Sequence, residues 1–592
     1  MNSENNKNRY ATALLEAENF LNNEKQFHLG MLPTEQSNPK TRGLDKRFAS
    51  SPAEGIKLLL SVDYDVLEMA KRVLASEPFQ KMVEAGTLAV NSGKKIVFSG
   101  CGATGRLSIL LESMWRCFFR KLSQEHPAIY PKVARFKNSV FSIMTGGDYA
   151  LIRSVEYFED YQQFGRQQVK EMDITEGDVL IAITEGGETS SVLGSVAESA
   201  ERGANVFLLF NNPADVLAKY IERSRKAIED PRVTVLDLYC GPMAVAGSTR
   251  MQATTSEQLI GGAALEIILG RCLQQVLLPG ELELINVRDI DYAEEFNILL
   301  NELSSDSNTK TLGSYLEMEK EIYQENGLIT YFAKEFLLDI FTDTTERAPT
   351  FMLPPFKKFD DQVSLPSWAF VKNPLLPTAE AWEYVLGRPV RCLEWKSDLY
   401  SQMGVPDSLA SAPPQLDKTQ IVKFHIGNEE DLSRLSRTPN RAVNILGSRE
   451  VENTSYSEYK TAFNCCTEKF QGRTSLLVGN SSKPADFRIS CTPVPSALNL
   501  MDHMAIKLVL NTVSTGTMIL MGRVTSNWMS WVEVSNKKLR DRGIRLISEL
   551  CGVSYKEACY ALHETLEEMK KLDFTNQEKP SPVQYTIKKF IK

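Results

Sequence analysis

The sequence predicts an α/β fold: two doubly wound parallel-sheet domains in tandem, followed by a C-terminal all-helical lid. Three observations predict it. Short apolar runs alternate with stretches of helical period through the first half of the chain, a weaker series of the same kind runs from about 315 to 491, and beyond about 495 the spacing is helical throughout. A length of 592 residues exceeds what one hydrophobic core can organise, and the domain-size prior gives roughly three to four compact units.

Residues 1–50 are polar and carry Asn38-Pro39, which reads as an extended arm and not a folded unit. The first domain, 51–290, opens with a helical stretch, Ala53 to Ala85. The strand-like run Lys95–Gly100 then enters a glycine-rich turn and a helix from Thr104 to Arg120. Further strands are expected at Val140–Met144, Val179–Thr184, Val206–Phe210 and Val233–Leu238, with helices such as Val192–Arg202 between them and Glu257–Leu278 after the last. This alternation implies a parallel, doubly wound sheet. The second domain, 291–495, is expected to hold a helix at Tyr315–Glu325 and strand-like runs at Leu328–Ala333, Gln420–Ile426, Val443–Gly447, Ser475–Val478 and Phe487–Cys491. The lid, 496–575, reads as helices Ala497–Met521, Lys537–Cys551 and Tyr555–Leu572, and 576–592 as a tail.

Composition narrows the function. An apolar fraction of 43%, a charged fraction of 24% and a net charge of −8 without charge blocks suit an ordinary globular protein, with no basic surface for nucleic acid. No segment approaches the roughly 18 consecutive apolar residues of a membrane span, and the ten cysteines lack CxxC spacing, which together with a polar start points to a cytoplasmic protein with reduced thiols. The five histidines show no zinc-type spacing, so neither a metal nor another cofactor is expected.

Gly100-Cys101-Gly102-Ala103-Thr104-Gly105-Arg106 lies between strand and helix, where glycines let the backbone approach an anion and the first helical N–H groups meet it along a favourable dipole. Gly102, Ala103, Thr104 and Gly105 are therefore candidate phosphate ligands, although a ligand-free βα turn would look the same. A Walker loop is excluded by spacing and by the missing lysine. The turn does satisfy G-x-G-x-x-G, but the next strand begins only at Val140, too late to supply the acidic residue of a dinucleotide site. A second polar turn, Thr184–Ser191, offers Thr184, Gly186, Glu188 and Thr189 at the same sheet end. A third, Gly247-Ser248-Thr249-Arg250-Met251, offers Ser248; either could equally be an N-cap run.

Together with Leu32–Pro39, Gly146-Gly147-Asp148, Glu156 and Glu159-Asp160, these turns resemble the sugar-isomerase (SIS) family, in the branch that holds N-acetylmuramic acid 6-phosphate etherases and glucokinase regulatory proteins. Two domains and a lid on one chain, with Lys507–Gly516 and Ser535–Leu539 at the lid, resemble the regulatory layout. The resemblance implies two SIS domains, a phosphorylated sugar as ligand, and one site per chain, because Tyr331–Leu337 replaces the phosphate loop in the second domain with bulky residues. It further implies ligand contacts from Glu159, from Glu346 of the second domain and from Lys507 of the lid. The etherases' two catalytic glutamates fall on Met114 and Glu159, so one carboxyl is missing, and Glu112 lies roughly 200° around the helix from position 114. The expectation is thus a noncatalytic sugar-phosphate sensor, monomeric through its intrachain pair of domains, with a sugar kinase or other protein as partner. The alternative is an etherase-like lyase or a sugar-phosphate isomerase using Glu159. Glu188 departs from the resemblance by placing a negative charge in the second turn, which suits a sugar hydroxyl or an amine better than a phosphate.

Overall fold

The computed structural model describes residues 2–155, 157–572, 574 and 578–591. Two five-stranded parallel sheets organise it. The first contains β1 (Ile96–Gly100), β2 (Val140–Met144), β3 (Val179–Ile183), β4 (Asn205–Phe210) and β5 (Val233–Asp237), in the order β2-β1-β3-β4-β5. The second contains β6 (Leu328–Phe332), β7 (Ala369–Lys372), β8 (Asn440–Gly447), β9 (Gly472–Val478) and β10 (Phe487–Ile489), in the order β10-β9-β8-β6-β7. Read from its other edge, the second sheet repeats the 2-1-3-4-5 order of the first. In each, the order reverses beside the first strand, and the crevice at the strands' carboxyl ends there is where open α/β sheets bind ligands.

The strands are nearly continuous apolar runs because both faces are covered: β1, β3 and β6 are buried along their whole length. In the register of β1 with its neighbours, Gly100 stands opposite Met144 and Ser99 opposite Ala182, so the turns after β1, β2 and β3 emerge together. Helix Leu500–Leu520 is buried on nearly all sides and packs against helices from both halves, including Gln252–Gln274 and Leu337–Phe351.

Three expectations are corrected. Residues 2–23 of the supposed extended arm form helix Asn2–Asn23. Its polar composition hides a stripe of Ala13, Ala17 and Phe20 at helical spacing, buried against helix Tyr555–Met569, where Cys559 reaches the Ala17 carbonyl at 3.8 Å. Gln420–Ile426 is no strand: Lys418–Ile421 is a helical turn, and Ile421, Phe424 and Ile426 are buried from an irregular segment. The strand is Ala369–Lys372, too short between polar and proline-rich neighbours to stand out. The supposed tail contains helix Pro582–Ile591, which buries Val583 and Ile587 and joins Thr586 to Thr565 at 2.9 Å. Among the described residues, no helix is long and apolar enough to cross a membrane.

Candidate functional site

A cavity of 680 Å³ opens at the carboxyl end of the first sheet. That lies within the roughly 300–1,000 Å³ of small-molecule sites. Its walls come chiefly from three parts of the chain: the turns after the first sheet's strands, residues between 344 and 369 from helix Leu337–Phe351 onward, and the start of helix Lys537–Cys551 with the residues before it; Phe574, Glu578 and Lys579 also line it.

Gly102 and Ala103 form the floor. Gly102 has φ 59° and ψ −126°, a conformation open essentially only to glycine, and it turns the chain directly into helix Ala103–Glu125. The first N–H groups of that helix have no intrahelical acceptor. Thr104 is used inside the turn: its Oγ1 accepts from the Cys101 N–H at 3.0 Å and donates to the Cys101 carbonyl at 2.9 Å, so it clasps the loop and does not line the cavity. Gly105 packs against Met144 behind the floor. In the second turn Thr189 lines the cavity, whereas Thr184, which donates to Thr189 at 3.0 Å, and Gly186 stand behind it. The third turn supplies Ser248. Its Oγ is buried without a partner, as is Oγ1 of Thr345 across the cavity.

Glu188 does not project freely from its loop. It is buried, bonded to Lys538 and paired with Arg223 at 3.3 Å, and although burial pushes its carboxyl up, these cations hold it below the usual range. Glu185, which the sequence reading passed over, lines the cavity instead. Burial, reinforced by Glu346 and Glu188 against the pull of Lys538, pushes its carboxyl up to about 7. Glu159 also lines the cavity; its Oε1 accepts from Asn536 Nδ2 at 3.0 Å, and burial raises its carboxyl, with Glu188 and Asp160 adding to the effect against Lys538. Asn536 in turn accepts from the Leu539 N–H at 2.8 Å as N-cap of the lid helix. Glu156 lies outside the described residues.

Glu346 lines the cavity from the second half and is bound by the buried Arg106, whose guanidinium also donates to the carbonyls of Ala150 and Leu151. Lys507 stands elsewhere. Its Nζ is spent on Thr255 at 2.6 Å, Asn511 at 2.7 Å and the carbonyls of Arg250 and Met251, where it braces the third turn from outside the cavity. Burial lowers its pKa. The lid cations that line the cavity are Lys538 and Arg542, a helical turn apart on one face. Glu35 of the Leu32–Pro39 segment pairs with Arg542 at 2.6 Å and Arg545 at 2.9 Å, fastening the lid to the arm. The i, i+4 spacing after Asn536 was the signal that would have found both cations.

Glu112 is buried away from the cavity, against Arg116 at 2.8 Å, Arg388 at 3.1 Å and Arg391. Burial opposes its charge, but these guanidiniums hold its pKa down to about 2. Asp148 receives Arg388 at 2.5 and 2.9 Å, so the Gly-Gly-Asp segment ties the first half to residues 388–391 of the second.

The 2-1-3-4-5 order occurs twice on one chain, with a glycine-rich turn at the first switch point only, and the first half is similar to sugar-isomerase (SIS) family proteins. Within it, the family model of the glucokinase regulatory protein N-terminal SIS domain matches residues 79–200. N-acetylmuramic acid 6-phosphate etherase 1 of Bacillus licheniformis is 27% identical over 233 residues, 39% of this chain and 67% of that protein. The etherase of Glaesserella parasuis is 28% identical over 255 residues, 42% of this chain and 73% of that one. Among solved structures, tagatose-6-phosphate ketose/aldose isomerase from Escherichia coli is similar with a TM-score of 0.41 and 9% identity, covering 83% of this chain and 99% of that chain. The C-terminal domain of glucosamine-fructose-6-phosphate aminotransferase from Francisella tularensis gives 0.43 and 10%, covering 82% and 98%.

Proposed function

We propose that this chain is a sugar-phosphate sensor: a phosphorylated sugar binds in the 680 Å³ cavity and fixes the lid against both halves. The observation that carries the reading is that Ser248 and Thr345, from different halves, line one cavity and each holds a buried hydroxyl without a hydrogen-bond partner. Buried polar groups are ordinarily hydrogen-bonded, so both are matched by a polar ligand spanning the halves. Such a ligand gains contacts only when the three walls are together, which gives it the different affinity for open and closed states that a switch requires. Asn536 bonds Glu159 and caps the lid helix, so a change at Glu159 is felt at the helix start.

This reading divides the chain into an arm, two SIS domains and a lid near residues 50, 290, 495 and 575. It makes the protein a cytoplasmic monomer whose output is a partner protein, a sugar kinase by likeness to the matched family. A second reading, an etherase-like lyase or a sugar-phosphate isomerase, is favoured by one observation: Glu185 places another carboxyl with a raised pKa in the cavity with Glu159.

Thermal unfolding against a panel of hexose 1- and 6-phosphates tests binding, because a ligand of the folded state raises the midpoint by mass action. Ser248→Ala with Thr345→Ala is expected to weaken the bound sugar phosphate roughly tenfold or more. NMR of the incubated ligand separates the readings: an unchanged sugar supports the sensor, and release of lactate or an isomerised sugar establishes the enzyme.

A further inference from the structure

The charges around the cavity point to more than a phosphate. Most of the ionic groups there already have partners within the chain. Arg250 is paired with Asp343 at 2.7 Å, Arg542 with Glu35, Lys538 with Glu188, and Glu346 with Arg106. Among the described residues, Glu159, Glu185 and Arg153 line the cavity without an ionic partner. A half-buried carboxylate without an ion pair is costly: Lys538 attracts both, yet burial and neighbouring carboxylates still raise Glu159 and Glu185 above their ordinary range. Their influence meets at one point: the Cys101 thiol, on the cavity floor, is raised first by burial and then by both Glu159 and Glu185.

We propose that the sugar phosphate carries a free amine, and that Glu185 and Glu159 receive its ammonium group. This rests on the sugar-phosphate reading and names the ligand class within it. The assignment goes to Glu185 and not to Glu188, because Lys538 and Arg223 already neutralise the latter. Glu159 keeps an oxygen for the ammonium, since Asn536 occupies Oε1. Arg153 and the helix start at Ala103 leave positive potential for the phosphate, so the walls complement a zwitterion. An ammonium beside these carboxylates restores the charge pairing that burial denies them, whereas a hydroxyl or an N-acetyl group at the same carbon does not.

Isothermal titration of the full chain at pH 7 with glucosamine 6-phosphate, glucose 6-phosphate and N-acetylglucosamine 6-phosphate tests the proposal. Glucosamine 6-phosphate is expected to bind at least about tenfold more tightly than the other two, the scale of one charge-assisted hydrogen bond. Glu159→Gln combined with Glu185→Gln is expected to abolish the preference while glucose 6-phosphate still binds. Equal affinities for the three ligands, or a preference that survives in the double variant, overturn the amine and leave the sugar-phosphate site standing. If none of the three binds, the site itself is wrong and the amine proposal falls with it. The wild-type comparison decides the question even if the double variant does not fold.

Discussion

The two sheets share one strand order yet end differently at their switch points. After β1 the chain turns through Gly102, whose backbone lies open to the cavity. After β6 the corresponding turn is Ala333-Lys334-Glu335-Phe336, and Phe336 is buried against Gly447 at the end of β8, where a Cβ would lie 2.5 Å from its ring. Around this plug, His503 sits edge-on to Phe336 at 5.4 Å and pairs with Asp339 at 2.9 Å, while Glu335 reaches Lys121 of the first half at 2.7 Å. Topology supplies a crevice twice; the side chains of one turn decide whether it stays open or is filled by a phenyl ring. The second end has become an anchor for the lid and for the first half.

The sharpest way to break this comparison is to remove the plug. Phe336→Ala is expected to cost about 3–4 kcal/mol of stability, as expected for a deleted buried phenyl. It is also expected to leave the ligand stoichiometry of the full chain unchanged in calorimetry. A new second site in that variant would show that the ring alone closes the second crevice. The matching change at the first end, Gly102→Val, places a branched residue in a glycine conformation at a cost of roughly 1–3 kcal/mol. It is expected to abolish sugar-phosphate binding, whereas Gly447→Ala crowds Phe336 at a similar cost and leaves binding intact.

Most of this contrast was legible beforehand. Both sheets, the glycine-rich turn and its bulky counterpart follow from apolar runs and residue size. The pocket's own side chains were harder to place. Thr104 and Thr184 have the right chemistry at the right turn, but their hydroxyls are consumed locally, and spacing does not say which way a hydroxyl points. Lys507 and Lys538 both lie in lid segments, and only tertiary packing turns one toward the third turn's carbonyls and the other toward the cavity. The N-terminal helix was missed because alanines at 13 and 17 give a weak periodic signal that becomes a buried face only once the lid is present.

Smaller effects sharpen the electrostatic side of the comparison. Glu185 is held up to about 7 in the folded chain from an ordinary value of 4.5, so the folded state binds its proton more tightly. Its stabilising contribution is full below about pH 4.5 and fades as pH rises through 7. Glu185→Gln is therefore expected to be more stable than the wild type at pH 8 by roughly 1–3 kcal/mol, with the difference shrinking below pH 5 in denaturant titrations. At the second end, burial lowers the His503 pKa but Asp339 overcomes it, for a net rise above 6.5. That pairing stabilises fully below pH 6.5 and is lost as pH rises through the folded value. A double-mutant cycle of His503→Ala with Asp339→Asn is expected to give a coupling of about 1 kcal/mol at pH 6 that declines by pH 9.

If, as proposed, a sugar phosphate at the first sheet end draws three parts of the chain together, the three gain protection jointly when it binds. Hydrogen exchange of the full chain, with and without saturating glucosamine 6-phosphate, tests it most directly. Joint protection of residues 101–106, 345–347 and 536–542 is expected, with no change at 333–336 or 447–450. Protection confined to the first turn, or appearing at the second sheet end, would contradict it.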